Sequence, residues 1–420
     1  MTLCVSNAIL MRSEPELRRK RDMRKSSNFQ HTMIACYMGY ITQAIANNFA
    51  PLLFLTFERQ YGISLSRIAM LASINFGIQL AVDFIAAKFV DRIGYRACMI
   101  AAHVSNVVGI AGLAVFPELF ADPFAGLIVA VFFYAVGGGL CEVLVSPIAE
   151  ACPTEKKDAQ MSLLHSFYCW GVVAVVALST AYFVIFGVEN WKLLAFFWAL
   201  VPLVNIFNFI VVPINPITAE GEGMRIGQLM RSRLFWLLAL LMVCSGASEL
   251  SMSQWASAYT ESALHVTKVV GDLAGPCVFA ILMGGARMFY AKFSERVDLT
   301  KFMLFSGALC VVCYLLASLS GNPMLGLLGC GLCGLSVGIM WPGTFSVATV
   351  SLKNGGTAMF ALLALAGDLG GSLGPAVVGA ASSLAGGNLK MGVLAAMVFP
   401  LLMIAGLTVL RKKYWGADNR

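Results

Sequence analysis

Long apolar runs separated by short polar ones make up nearly all of the chain. Each run is about the ~20 residues that a helix needs to cross the hydrocarbon core of a bilayer. Twelve are predicted, near 32–57, 68–90, 97–116, 124–150, 159–186, 191–212, 234–260, 269–291, 299–319, 323–350, 355–385 and 388–410. The polar stretches between them are brief, apart from the N-terminal tail and PINPITAEGEGMRIGQLMRSR at 213–233. The expected fold is therefore an all-α integral membrane protein of twelve transmembrane helices. Its expected organisation is a basic tail at 1–31, a six-helix bundle at 32–212, a linker at 213–233, a second six-helix bundle at 234–410 and a tail at 411–420.

The two bundles are repeats of one design. AKFVDRIGYRACMI at 87–100 aligns without a gap with AKFSERVDLTKFML at 291–304, each following the second helix of its half. Asp91 and Arg92 thus correspond to Glu295 and Arg296, and Asp83 corresponds to Arg287. Two pseudo-symmetric bundles suit alternating access, in which a site at their interface faces each side in turn as one half rocks against the other. Asp83 and Arg287, near the ends of their helices, read as gate residues.

Composition strengthens the membrane reading. With 59% hydrophobic residues, 12% charged ones and a mean hydropathy of +0.80, the chain has too few charges to clothe a water-soluble surface. The N-terminal tail is too polar for a secretory signal and ends in the basic run LRRKRDMRK. With both termini in the cytoplasm, all but five of the 29 Lys and Arg fall on that side, the exceptions being Arg59, Arg67, Lys192, Lys268 and Lys390. The expectation is a multi-pass protein of the cytoplasmic membrane. Its basic run answers to membrane orientation rather than to nucleic acid.

Twelve cysteines include Cys310, Cys313, Cys330 and Cys333, whose C-x2-C-x16-C-x2-C spacing matches zinc sites. They fall in two apolar helices, where four thiolates would be buried charges without polar support, so they read as packing residues. A phosphate-binding G-x-x-x-x-G-K-[ST] loop and an H-E-x-x-H pair are both absent from the sequence. No cofactor or metal is implied, and no nucleophile–base pair suggests an enzyme.

The candidate chemistry lies in charges at membrane depth. Glu142 is the sole charged residue between Asp122 and Glu150. It lies eight residues from Glu150, about 12 Å along a helix. His165, seven residues after Asp158, falls at nearly the same depth in the next helix. A protonatable acid near an imidazole suits proton binding or sensing, and an intramembrane acid is a functional residue by default. Glu249, in SGASELSMSQWASAY, and Asp368, in LALAGDLGGSLGP, are further coupling, ligand-binding or packing candidates. Trp170, Trp255 and Trp341 lie within helices rather than at the interfacial belt, where tryptophan concentrates. An indole can stack on the apolar face of a sugar, and Gln43, Asn47, Asn48, Asn75 and Gln254 can bond hydroxyls.

The loop AKFVDRIGYR resembles the signature between helices 2 and 3 of the major facilitator superfamily, a G-x-L-x-D-R-x-G-R-R pattern matched by Asp91, Arg92, Gly94 and Arg96. The resemblance implies an inner-face charge network that latches one conformation, formed by these four residues with Glu295 and Arg296. GGGLCEVLVSPIAEA and MSLLHSFYCWGVVAVV resemble the fucose permease-like branch of fucose, galactose and glucose:proton symporters. That resemblance implies that Glu142 is a sugar-contacting, proton-responsive acid and that Tyr168 takes a substrate-binding place. It also matches Asn47 and Asn48 to the branch's helix 1 asparagines. Pro51 stands where the branch carries its helix 1 aspartate, which leaves Glu142, Glu249 or Asp368 as coupling acid. The expected function is secondary active transport of a small polar solute, a monosaccharide first, by a monomer coupled to protons or sodium. A multidrug/proton antiporter and a non-transporting receptor of the same fold are the alternatives.

Overall fold

The computed structural model of the chain describes residues 29–63, 65–215, 223–254, 268–386 and 388–414. Trp255, the basic run at 18–25 and part of the linker lie outside the described residues. Within them the regular structure is helical.

The first span, α1, covers residues 29–52 and, past a turn at Leu53, continues as Phe54–Tyr61. Pro51 accounts for the break, because it donates no hydrogen bond and its ring crowds the carbonyl four residues back. The next spans are α2 (Leu65–Ile93), α3 (Tyr95–Leu119), α4 (Pro123–Glu150), α5 (Lys157–Phe186) and α6 (Trp191–Val211). A short helix, Ile226–Arg231, leads into the second half: α7 (Arg233–Ser253), α8 (Lys268–Phe293) and α9 (Leu299–Leu319). There follow α10 (Pro323–Val337 and Met340–Ser351), α11 (Gly356–Leu384) and α12 (Leu389–Ala396 and Val398–Tyr414). Side-chain caps start several of them: Asp122, Ser232, Asp298 and Asn388 each accept from a backbone N–H of the first turn.

Among the described residues ten spans are long and apolar enough to cross a membrane, and α1 and α8 bring the number to twelve. Large apolar side chains such as Val184 and Val211 are 81% and 77% exposed on the outside of the bundle. Such a surface is suited to lipid and would aggregate in water. With twelve spans, both ends of the described chain emerge on one face, called here the terminal face.

Without a hydrophobic drive between helices in lipid, close contact comes from small residues. Gly109 on α3 lies against the backbone of Tyr134 on α4, and Gly246 and Gly370 on α7 and α11 lie against the Gly367 and Val243 carbonyls. Any side chain there would push the helices apart. The halves meet through α2 with α11, α5 with α8 and α10, and α4 with α11. The repeat exchanges α2 with α8 and α5 with α11. The α2–α11 and α8–α5 contacts are therefore one contact seen from each half.

Candidate functional site

A cavity of about 110 Å³ lies between the halves at mid-depth. Its first-half wall is a polar stripe on α1. Tyr40, Gln43 and Asn47 share a helix face by their spacing of three and four residues, and all three line the cavity. Gln43 donates to Glu142 Oε2 at 2.6 Å. The Tyr40 and Ser146 hydroxyls are 2.7 Å apart, and each is 3.2 Å from His165 Nε2. Glu142 and His165 thus line one cavity through separate partners, Gln43 for the acid and Tyr40 with Ser146 for the imidazole. Tyr40 and Gln43 are neighbours on α1 and connect the two.

A second network joins α1 to α2. Gln79 donates to Asn47 Oδ1 at 2.6 Å and to Asn75 Oδ1 at 3.0 Å, and Asn75 donates to Asn47 at 3.2 Å. Tyr168 lines the same cavity. Such fixed amides and hydroxyls can bind the hydroxyls of a neutral solute.

The second-half wall carries Glu249, Arg287, Trp341 and Asp368. Arg287 is 3% exposed and is held at every nitrogen. Nε donates to the Gly338 carbonyl at 2.7 Å, Nη1 donates to the His165 carbonyl at 2.8 Å and Cys169 Sγ at 2.9 Å, and Nη2 is 3.6 Å from Glu249 Oε2. The Gly338 carbonyl is free for this because its partner along α10 would be the N–H of residue 342, and Pro342 has none. Three acids, Glu142, Glu249 and Asp368, share the cavity with one arginine. That balance disfavours an anion as its occupant.

The remaining candidates are distributed as follows. Trp170 donates to Met288 Sδ at 3.2 Å, in the α5–α8 contact and away from the cavity wall. Asn48 turns back to the Ala44 carbonyl at 2.9 Å, and Gln254 is exposed beyond the end of α7. Ten residues from the end of α2, about 15 Å, Asp83 is at mid-depth and fully buried. Neither of its oxygens has a hydrogen-bond partner among the described residues, and it takes no part in the loop network. Sequence reasoning missed Tyr40, Ser146 and Gln79. The first lies one turn before Gln43 and the last one turn after Asn75, so the polar stripes were visible, whereas Ser146 carries no sequence signal.

On the terminal face Gly94, at φ +93°, turns the chain between α2 and α3. Asp91 accepts from Thr357 at 2.6 Å, and Thr357 also bonds the Tyr95 hydroxyl, so the α2–α3 corner is tied to the first turn of α11. Arg96 instead holds the last carbonyls of its own half, those of Phe209, Ile210 and Val212, at 2.5–2.8 Å. Two more bonds cross between halves: Lys156 with Glu295 at 2.5 Å, and Tyr290 donating to Asp158 at 2.5 Å. The Lys156 ammonium holds the Glu295 carboxyl below its usual range. Arg92 and Arg296 are exposed. These bonds stitch the halves together beneath the cavity.

A family model described as Major Facilitator Superfamily matches residues 34–375. No curated protein matches the chain in sequence. Among solved structures, FucP, a major facilitator superfamily transporter in the outward conformation, is 15% identical with a TM-score of 0.75, covering 90% of this chain and 97% of that one. The proton:xylose symporter XylE bound to 6-bromo-6-deoxy-D-glucose is 11% identical with a TM-score of 0.78, covering 93% and 96%. The human organic anion transporter MFSD10 is 16% identical with a TM-score of 0.69, covering 90% and 99%. At such identities the likeness speaks for the fold, and with the family match over most of its length the chain belongs to the major facilitator superfamily, as a multi-pass membrane transporter and not an enzyme.

Proposed function

We propose that this transporter carries a small neutral polar solute, a monosaccharide first, across the cytoplasmic membrane as a proton-coupled symporter with Glu142 in the coupling path. The two halves, 32–212 and 234–410, rock about the central cavity with 213–233 as tether, and both termini face the cytoplasm. The protein acts as a monomer. The observation that carries this reading is the mid-depth cavity, where the Gln43, Asn47 and Gln79 amides converge with Glu142, Tyr168 and Trp341. The amides and Tyr168 offer bonds to hydroxyls, and Trp341 offers a flat apolar face. Bulky apolar drugs need a wider, drier wall than one built of amides and acids. The sugar symporters FucP and XylE, similar in fold, support the same direction.

Glu142 is suited to coupling because its partner is a neutral amide, so its charge is set by whether a proton is bound. A neutral Glu142 donates to a sugar hydroxyl or to Gln43, whereas an ionised one only accepts. The test is uptake of a labelled monosaccharide panel into proteoliposomes, with and without an inward proton gradient, for wild type and Glu142→Gln. Gradient-driven accumulation of one sugar is expected, lost in Glu142→Gln while sugar exchange survives. Accumulation driven by sodium alone would overturn the proton, and absence of uptake for every sugar would overturn the substrate.

A further inference from the structure

Gln43 reaches Glu142 with one arm of its amide and leaves the other arm without a partner. Nε2 donates to Glu142 Oε2 at 2.6 Å, tying α1 to α4 at the cavity wall. Oε1 is buried and accepts no hydrogen bond, in a side chain only 3% exposed. Buried polar atoms are almost always satisfied, so an orphan acceptor on a residue of the cavity wall calls for a donor. The amide as it stands suits an ionised Glu142, whose oxygens can only accept.

We infer that Gln43 is a specificity-determining switch: when Glu142 takes a proton, the Gln43 amide turns over and offers the solute a donor in place of an acceptor. The inference rests on the reading of Glu142 as the coupling acid and deepens it. A proton on Oε2 sets two donors against each other, the new O–H and the Gln43 N–H. A half turn of the amide removes the conflict. Oε1 then accepts from the new hydroxyl, and Nε2 takes the place that Oε1 held. The rotation is about a terminal sp³–sp² torsion, which is broad and two-fold, and it exchanges two atoms of nearly equal size. It therefore needs no movement of α1 or α4.

The consequence is a rule for the solute. Beside an ionised Glu142, Gln43 accepts, so the solute group must donate. Beside a protonated Glu142, Gln43 donates, so the same group must accept. A hydroxyl does both by turning its own O–H bond, whereas an ammonium only donates and an ether only accepts. The amide thus selects a hydroxyl at this point, and it passes the protonation state of Glu142 to the solute without direct contact between them.

Other titratable groups surround the pair. α4 packs against α2, α3, α5 and α11, which bring Asp83, His103, His165 with Tyr168, and Asp368. Across the cavity stand Glu249 of α7 and Arg287 of α8, 3.6 Å apart, and Trp341 of α10. His103 is bonded to Asn205, and His165 to Ser146 and to Tyr40 of α1. Among the described residues, the hydrogen bond to Glu142 is the one from Gln43. The surrounding charges displace the midpoint at which Glu142 takes its proton, and the half turn follows that midpoint wherever it falls.

The test is infrared difference spectroscopy of the full chain in lipid nanodiscs across pH, with the glutamine side-chain carbonyls isotopically labelled. It needs no substrate, so failure of every sugar in the uptake assay would leave its outcomes untouched. A protonated-carboxyl band is expected to grow in as pH falls and to be missing in Glu142→Gln. One labelled glutamine carbonyl band should fall in frequency with the same midpoint, because Oε1 passes from unbonded to accepting an O–H. The ratio of the two amide forms should change by about tenfold per pH unit, as for one proton. The glutamine change should vanish in Gln43→Met, which has no amide, while the carboxyl band still titrates. It should vanish in Glu142→Gln as well, and that comparison with wild type decides the point even where Gln43→Met does not fold. A Glu142 band that titrates beside unmoved glutamine bands would overturn the switch and leave the coupling acid standing. A glutamine change that persists in Glu142→Gln would equally overturn it. If Glu142→Gln removes no carboxyl band, the coupling reading falls and the switch falls with it.

Discussion

Arg287 and Pro342 make a matched pair whose energetics can be isolated. Arg287→Lys keeps the charge, but one ammonium cannot reach the Gly338 carbonyl on α10, the His165 carbonyl on α5 and Glu249 on α7 together. The His165 carbonyl retains its place in the α5 ladder. The Gly338 carbonyl does not, because residue 342 has no N–H, and it is buried. Leaving it unpaired costs about 1–3 kcal/mol. Pro342→Ala returns the missing donor, so it should relieve that cost in the Arg287→Lys background and matter little in wild type. Effects of proline removal on the unfolded chain are common to both backgrounds and cancel in a double-mutant cycle. The expected coupling is about 1–3 kcal/mol, a 5- to 150-fold change in the unfolding equilibrium. It is read from reversible unfolding of the four proteins in mixed micelles. Additivity to within about 0.5 kcal/mol would refute the idea that Arg287 stands in for the helix donor Pro342 lacks.

Gly94→Ala should destabilise the protein by about 1–3 kcal/mol, because φ +93° with ψ 141° is a backbone region reserved for glycine. A Cβ there meets nothing within 4 Å, so an alanine variant as stable as wild type in the same assay would remove backbone strain as the reason for glycine. Thr357→Val should loosen the Asp91–Thr357–Tyr95 tie by about 0.5–1.5 kcal/mol, seen as faster hydrogen exchange in 91–96; unchanged exchange would deny it any share in closure. Lys156 holds the Glu295 carboxyl below its usual range. That contribution is therefore full at neutral pH, above the carboxyl's unperturbed value, and is lost as pH falls through the depressed value. Both groups are solvent-exposed, so the effect should also fade with salt, and Glu295→Gln should remove the acid-side change in exchange of the α8–α9 loop.

The fold was legible because each span must satisfy its own backbone in lipid, which forces uninterrupted apolar helices that a hydropathy pattern displays. The breaks inside α1 and α10 follow from single prolines, which a count of apolar residues passes over. The site was half legible for a related reason. A lone charge such as Glu142 or Asp368 stands out against an apolar run, whatever it touches. Its partner is chosen by three-dimensional packing, and Glu142 pairs with Gln43 while the expected neighbour, His165, bonds Tyr40 and Ser146. Asp83 illustrates the limit most clearly. Its repeat relation to Arg287 was readable, and both residues do sit where one half meets the other. The repeat fixes location but not sign. A cation at the α8–α5 contact finds carbonyls already present in any helix, whereas Asp83 at the α2–α11 contact is fully buried with neither oxygen hydrogen-bonded, so the same location sets opposite demands on the two signs of charge.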